Sequence, residues 1–221
     1  MASPMTRPKY PRTPHLPWSP GRAADDLVTT PSRALQGGEV VVTEKMDGEN
    51  TTIHPDGVHA RSVDSAHHPS RAWVKALAAQ LGPDIPPGWR LCGENLFARH
   101  SLGYDALPSY FLLFSVWDAQ NRCLAWDDTR EWAALLGLHL VRELYRGPWT
   151  EAGLRALCQS LDLGREEGLV VRTTAGFAYE DFDQHVAKWV RPGHVQTDQH
   201  WMQRAVIPNR LALIDPSGGA R

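Results

Sequence analysis

Residues 44–50 read Glu-Lys-Met-Asp-Gly-Glu-Asn and follow directly on the apolar run Glu39-Val-Val-Val-Thr43. This spacing sets an amine, Lys45, at the mouth of a strand, with carboxylates at Glu44, Asp47 and Glu49 and a glycine at 48. A free lysine titrates near ~10.4, so only about one in 2500 is neutral at pH 7. Burial, cationic neighbours or a metal must shift that balance before Lys45 can attack an electrophile. Four further clusters sit at the edges of apolar runs. They are Arg61-Ser62; Cys92-Gly93-Glu94-Asn95, followed by Ala98-Arg99-His100-Ser101 and Tyr104; Glu166-Glu167-Gly168-Leu169-Val170-Val171-Arg172; and Ala187-Lys188-Trp189-Val190-Arg191. Taken singly, each also fits a surface turn or a rim charge. Together they supply one nucleophilic amine, two placed carboxylates (Glu94 and Glu167) and cations at Arg61, Lys188 and Arg191. That set suits attack on a phosphate anhydride, where cations neutralise developing charge and a carboxylate holds a divalent metal.

The elements that must position these groups are mostly strands. Val40–Thr43, Thr51–His54 and Val58–Ser62 read as strands, the last two joined by a Pro55-Asp56-Gly57 turn. Trp89–Gly93 and Tyr110–Trp117 follow, the second nearly continuously apolar and so expected at the centre of a sheet. Gly168–Thr173 and His185–Val190 return to strand. A helix is predicted over Arg71–Leu81, stopped by Gly82-Pro83. Asp128-Thr-Arg-Glu131 reads as a capping box opening a second helix that ends at Gly137, and Thr150 caps a third through Leu161. Helices fall among antiparallel-looking strands with no regular βαβ rhythm, which makes the fold class α+β.

Composition narrows the classes further. The chain has 221 residues, 42% hydrophobic and 22% charged, with a net charge of −2. This is an ordinary balance that excludes a global nucleic-acid signature. No apolar stretch approaches the ~20 residues of a membrane span. The start carries basic residues but no apolar segment of the secretory type, so no signal peptide is expected. Cys92, Cys123 and Cys158 are odd in number and widely spaced. They read as reduced, mostly buried thiols of a cytoplasmic protein. His67-His68 lacks a third ligand at metal-site spacing and reads as a solvated loop. Residues 1–22 hold Arg7, Lys9, Arg12 and Arg22, no acid, and prolines at 8, 11, 14, 17 and 20. That three-residue period fits polyproline II. The segment reads either as a disordered leader or as an extended arm anchored by His15, Leu16 and Trp18, and the tryptophan favours the arm. The expected organisation is an arm at 1–22, a catalytic domain at 23–195 and a short tail at 196–221. His200-Trp201-Met202 in that tail suggest a helical cap or a docking surface.

In order and spacing the five clusters resemble the covalent nucleotidyltransferase superfamily of polynucleotide ligases and capping enzymes, and within it the ATP-dependent RNA ligases. The resemblance covers roughly residues 38–192. The Gly93-Glu-Asn-Leu-Phe-Ala-Arg-His-Ser-Leu-x-Tyr104 run, the Lys188-Trp-Val-Arg-Pro192 ending and the Pro-His-Leu of the leader carry the preference for RNA ligases.

That resemblance implies an ATP-grasp-like nucleotidyltransferase domain of antiparallel sheets flanked by helices. It implies three transfers using ATP and Mg2+ (or Mn2+). Lys45 takes AMP from ATP, AMP passes to an RNA 5′-phosphate, and a 3′-hydroxyl displaces it to seal the strand. Carried over by position, Glu44 contacts adenine through its backbone, and Arg61 reaches a phosphate or the ribose. Glu94 accepts from a ribose hydroxyl, Phe114 stacks on adenine, Glu167 holds the hydrated metal ion and Lys188 contacts the α-phosphate. Asp47 steadies the lysine loop or a metal-bound water. The family's last motif has two lysines one residue apart; here Arg191 is the candidate second cation, although Arg does not replace Lys freely. The thirty residues after it are too few for an OB-fold, so none is expected. A separate kinase-phosphatase that prepares RNA ends is a possible partner. Three readings stay open on the sequence: RNA ligase; a DNA nick ligase or GMP-transferring relative; and a nucleotide- or RNA-binding module without turnover.

Overall fold

The computed structural model describes residues 7–64, 67–193 and 205–213. Two antiparallel sheets face one another. The first has the order β11-β9-β1-β8, built from β1 (Glu39–Lys45), β8 (Glu143–Pro148), β9 (Gly168–Thr173) and β11 (Val186–Val190). The second runs β10-β6-β5-β4-β2-β3. Its strands are β2 (Glu49–His54), β3 (Gly57–Ala60), β4 (Arg90–Asn95), β5 (Phe111–Trp117), β6 (Arg122–Cys123) and β10 (Phe177–Ala178). The short β7 (His139–Leu140) pairs parallel to β5. The helices are α1 (Arg33–Gln36), α2 (Ala72–Leu81), α3 (Trp126–Leu135), α4 (Glu151–Ser160) and α5 (Phe182–His185). The α+β class with helix-flanked antiparallel sheets is therefore the observed one. Among the described residues no helix is long and apolar enough to cross a membrane.

Alternation along β1 explains its continuous apolar run. Val40 and Val42 enter a core with Leu154 and Cys158 of α4, while Val41 enters a second core with Leu112, Leu96 and Trp126. A strand covered on both faces has no polar side to show. By the same period of two, Lys45 shares the face of Val41, directed into the space between the sheets. The outer face of the second sheet is closed by α2 and α3, through Val74, Ala78, Leu81 and Ala133 against Ile53, Leu91, Phe111 and Leu113.

Several boundaries differ from expectation. The β2–β3 ladder ends at Thr51–Ala60, so Arg61 and Ser62 lie in an exposed bend beyond the strand. Strand β4 runs to Asn95 and so carries Glu94 within it. Helix α3 opens at Trp126, two residues before the Asp128 box, with no side-chain cap. Burial of the Trp126 ring and its 2.8 Å hydrogen bond to Glu143 Oε1 set that start, and Asp127 and Asp128 suit the positive end of the first turn. Thr150 does cap α4, its Oγ1 accepting from Gly153 N–H at 3.2 Å. His185 closes α5 and does not begin β11. Edge strand β8 was not legible, being polar and largely exposed.

The arm is docked from Arg7 onward. Leu16 is fully buried among the α4 and β1 side chains. Lys188 N–H donates to Pro14 O at 2.9 Å and Leu16 N–H to Lys188 O at 2.8 Å, so the arm extends the first sheet beyond β11. His200, Trp201 and Met202 lie outside the described residues.

Candidate active site

Lys45 ends β1 opposite Gly168, the first residue of β9. A Cβ at Gly168 would collide with the Trp189 carbonyl, so only glycine lets β11 pack this closely beside the lysine. Glu167 immediately precedes it and is fully buried. Lys45 Nζ donates to both Glu167 oxygens, at 2.6 and 2.7 Å. Burial disfavours the lysine's charge, but Glu167, Glu94 and Asp47 outweigh it and raise its pKa. The same burial raises Glu167, with Lys45 pulling back. The two-pronged contact leaves the proton on lysine. Lys45 thus rests as an ammonium clamped to a carboxylate, unable to attack.

Four groups hold the loop after Lys45. Asp47 is buried, and its Oδ2 accepts from Ser101 Oγ at 2.6 Å and Leu102 N–H at 2.7 Å. Its own N–H donates to the Tyr104 hydroxyl at 2.8 Å. Gly48 N–H donates to Glu94 Oε1 at 3.2 Å, and a Cβ on Gly48 would sit 2.6 Å from Asn95 O. Burial lifts the Glu94 carboxyl to about 8, with Lys45 opposing and Glu167 and Asp47 adding to the rise. Asp47 therefore steadies the lysine loop, and Glu94 braces it from β4.

Lys188 lies opposite Val170 on β11, and Val170 in turn opposite Thr43. That register puts its side chain on the Lys45 face. Burial lowers its pKa to about 8, with the Lys45 charge adding to the fall and Asp26 and Glu167 opposing. Arg61 is close enough to contribute to the same lowering. Arg191 N–H donates to Glu167 O at 2.9 Å, and its Nη2 reaches Ser101 Oγ at 3.5 Å. Its Nε is buried with no hydrogen-bond partner among the described residues. An idle buried donor on a side chain that reaches Ser101, itself bonded to Asp47, is one that a bound anion would satisfy. Phe114 is half-buried in β5, edge-on to Tyr10 of the arm at 5.2 Å between ring centres. Glu44 N–H is taken by Arg142 O at 2.8 Å, and its carboxylate accepts from Arg142 Nε at 3.0 Å.

The structure thus gathers Lys45, Asp47, Glu94, Glu167, Lys188 and Arg191 in one place, with Arg61 at its rim. Glu44 lies one residue outside it, tied to Arg142. Sequence reasoning missed Arg142, which bridges Glu44 and Glu166 from an exposed stretch before β8. It also missed Asn50, opposite Glu94, whose buried Oδ1 has no partner among the described residues. The Glu-Asn after Gly48 was the available signal for Asn50; none existed for Arg142. His15, expected as an anchor, is buried beside β11, with Nδ1 2.8 Å from Ser19 Oγ and Nε2 3.4 Å from Asp26. Burial and the Lys188 charge push its pKa down to about 4, so the imidazole is neutral.

A sequence profile described as RNA ligase matches residues 38–190. Among solved structures, an archaeal ATP-dependent RNA ligase (form 1) superposes with a TM-score of 0.52 at 18% identity, over 76% of this chain and 50% of that one. A Naegleria gruberi RNA ligase mutant with ATP and Mn gives 0.49 at 16% identity, over 83% and 61%. A putative ATP-dependent DNA ligase from Aquifex aeolicus gives 0.48 at 18%, over 73% and 48%. The chain spans about half the length of the archaeal structure. A search of curated proteins finds no match.

Proposed function

Since the chain belongs to the RNA ligase family, we propose that it is an ATP-dependent RNA ligase working through a lysyl–AMP intermediate. The observation that carries this reading is the Lys45 amine held 2.6 Å from a fully buried Glu167, with Glu94 and Lys188 directed into the same inter-sheet space. In the first step the Lys45 ammonium releases a proton to solvent, the neutral amine bonds to the α-phosphorus of ATP, and a second nitrogen-bound proton leaves to solvent as the phosphoramidate forms. The bond to the bridging oxygen breaks and pyrophosphate leaves. Lys188, Arg61 and the idle Nε of Arg191 are the cations available to the phosphates. Glu94 accepts from a ribose hydroxyl, Phe114 offers a ring to the base and Glu44 its backbone carbonyl. AMP then passes from Lys45 to an RNA 5′-phosphate, and a 3′-hydroxyl displaces it to form the phosphodiester.

Among the described residues no three His, Cys, Asp or Glu side chains are grouped to hold a metal ion. The acidic surroundings of Glu167 fit a divalent ion that brings water and phosphate oxygens as its other ligands. Mg2+ held there by Glu167 would neutralise charge developing on the α-phosphate. Glu167 would be the residue to hold such a cation, and the same carboxylate keeps Lys45 protonated while the two are paired. We assign this chemistry to a domain at 23–195 flanked by the arm and tail, acting in a cytoplasmic RNA-repair setting downstream of an end-healing kinase-phosphatase.

Intact mass after incubation with each NTP and Mg2+ tests the proposal. One AMP added from ATP alone, and none in Lys45→Ala, is the expected result. A folded, AMP-free protein that gains no adduct from any NTP would leave only a binding module, whose RNA affinity would survive Lys45→Ala.

A further inference from the structure

The stretch 205–213 lies beyond the matched family region, yet it runs along the connection between β4 and β5. That connection, residues 96–110, has no helix or strand of its own. It is also the segment that holds the lysine loop, through Ser101, Leu102 and Tyr104 on Asp47. Its shape must therefore be fixed from outside. Asn209 does this. It is 3% exposed, and its Nδ2 donates to Leu96 O at 2.8 Å and to Ala98 O at 3.4 Å. Its Oδ1 accepts from Tyr104 N–H at 2.9 Å. Its backbone N–H donates to Phe97 O at 2.9 Å, and its carbonyl accepts from Tyr110 OH at 3.1 Å. One side-chain amide thus joins the two limbs of the connection. Arg210 N–H to Tyr104 O, at 2.9 Å, repeats the tie one residue on.

We propose that Asn209 is a positioning residue for Lys45: it fixes the Tyr104 limb that in turn fixes Asp47. The proposal rests on Lys45 being the nucleophile of the preceding reading. Asparagine suits the position because two carbonyls and one N–H must be met by a single flat group with both donors and an acceptor. A displacement of about 1 Å at a reacting group typically slows a step about 100-fold. Of the residues assigned to adenine and ribose, Glu44 and Phe114 lie on other strands and Glu94 is held within the β4 ladder, so Asn209 should affect rate more than ATP affinity.

The test is single-turnover adduct formation with ATP and Mg2+, measuring rate, half-saturating ATP and final stoichiometry, with a thermal melt for each variant. Asn209→Ala should slow adduct formation about 10- to 100-fold, with half-saturating ATP within about threefold and the same final stoichiometry. A merely structural role would lower the stoichiometry and leave the rate of the folded fraction unchanged. Tyr104→Phe, which removes the hydroxyl under Asp47, should slow the step similarly, and the double variant should add little to either. Asn209→Asp keeps the acceptor for Tyr104 but turns an oxygen toward the Leu96 and Ala98 carbonyls, so its rate should fall at least as far as that of the alanine variant; Tyr104→Phe carries the test if neither folds. Ile207→Ala, at an exposed neighbour, should match the wild type. A wild-type rate in folded Asn209→Ala or Asn209→Asp, or independent additive effects of Asn209 and Tyr104, would overturn the inference while leaving the ligase reading intact. A wild-type protein that forms no adduct would remove both.

Discussion

Replacing Glu167 by glutamine should turn Lys45 from a clamped ammonium into a reactive amine. The carboxylate is within 2.7 Å of Nζ through both oxygens, and Lys45 keeps 23% of its side-chain surface exposed. Two unit charges about 4 Å apart at an effective dielectric near 20 interact by about 4 kcal/mol. At about 1.4 kcal/mol per tenfold, losing that charge raises the neutral fraction about 1000-fold. Glutamine still accepts a hydrogen bond, and Glu94 and Asp47 remain, so about 100-fold is the lower expectation. The assay is competitive labelling with an acylating reagent from pH 6 to 11, without ATP or metal, read by peptide mass spectrometry. Exposed Lys75 serves as the internal reference. Lys45 labelling at pH 8 should rise about 100- to 1000-fold in Glu167→Gln. A Lys45-to-Lys75 ratio unchanged within about threefold would refute the claim that Glu167 sets the protonation of the lysine.

Glu94 is raised to about 8 from an ordinary 4.5. The folded state therefore holds the proton more tightly, and stability falls as pH rises through that window. Glu94→Gln should raise the melting temperature at pH 8.5 and change it little below pH 4.5, while slowing adduct formation. Lys45→Ala removes the ammonium held by both Glu167 oxygens and should be destabilised by about 3 kcal/mol at pH 8. The deficit should shrink as pH falls and that carboxyl, raised by burial, takes a proton, as followed by urea unfolding at each pH. Leu16→Ala should reduce unfolding free energy by about 3 kcal/mol, since the side chain is fully buried between the arm, β1 and α4.

The parts of this site that were legible share one trait: each charged group interrupts an apolar strand. Lys45 after Val40–Thr43, Glu167 before Gly168–Thr173 and Lys188 within Val186–Val190 stand out because a buried strand has little reason to carry a charge. Arg142 could not be read this way, because it precedes an exposed edge strand where charge is ordinary. Asn209 bonds to backbone carbonyls of a segment a hundred residues earlier, and no local pattern encodes such a partner. The Asp128 box misplaced the start of α3 because burying Trp126 outweighed the cap. Arg61 lies past its strand because the ladder with β2 stops at Ala60.

The pairing of the arm with β11 joins residues 14–16 to residue 188. At synthesis rates of about 5–20 residues per second, roughly 10 to 35 s separate the appearance of these two partners. Throughout that interval Leu16 and Trp18 have no sheet edge to cover, and Lys188 has yet to be made. Contacts this distant along the chain form slowly even in an intact polypeptide. The arm thus emerges well before its partner strand and is among the latest segments to settle, and Lys188 takes its place beside Lys45 in that same late event.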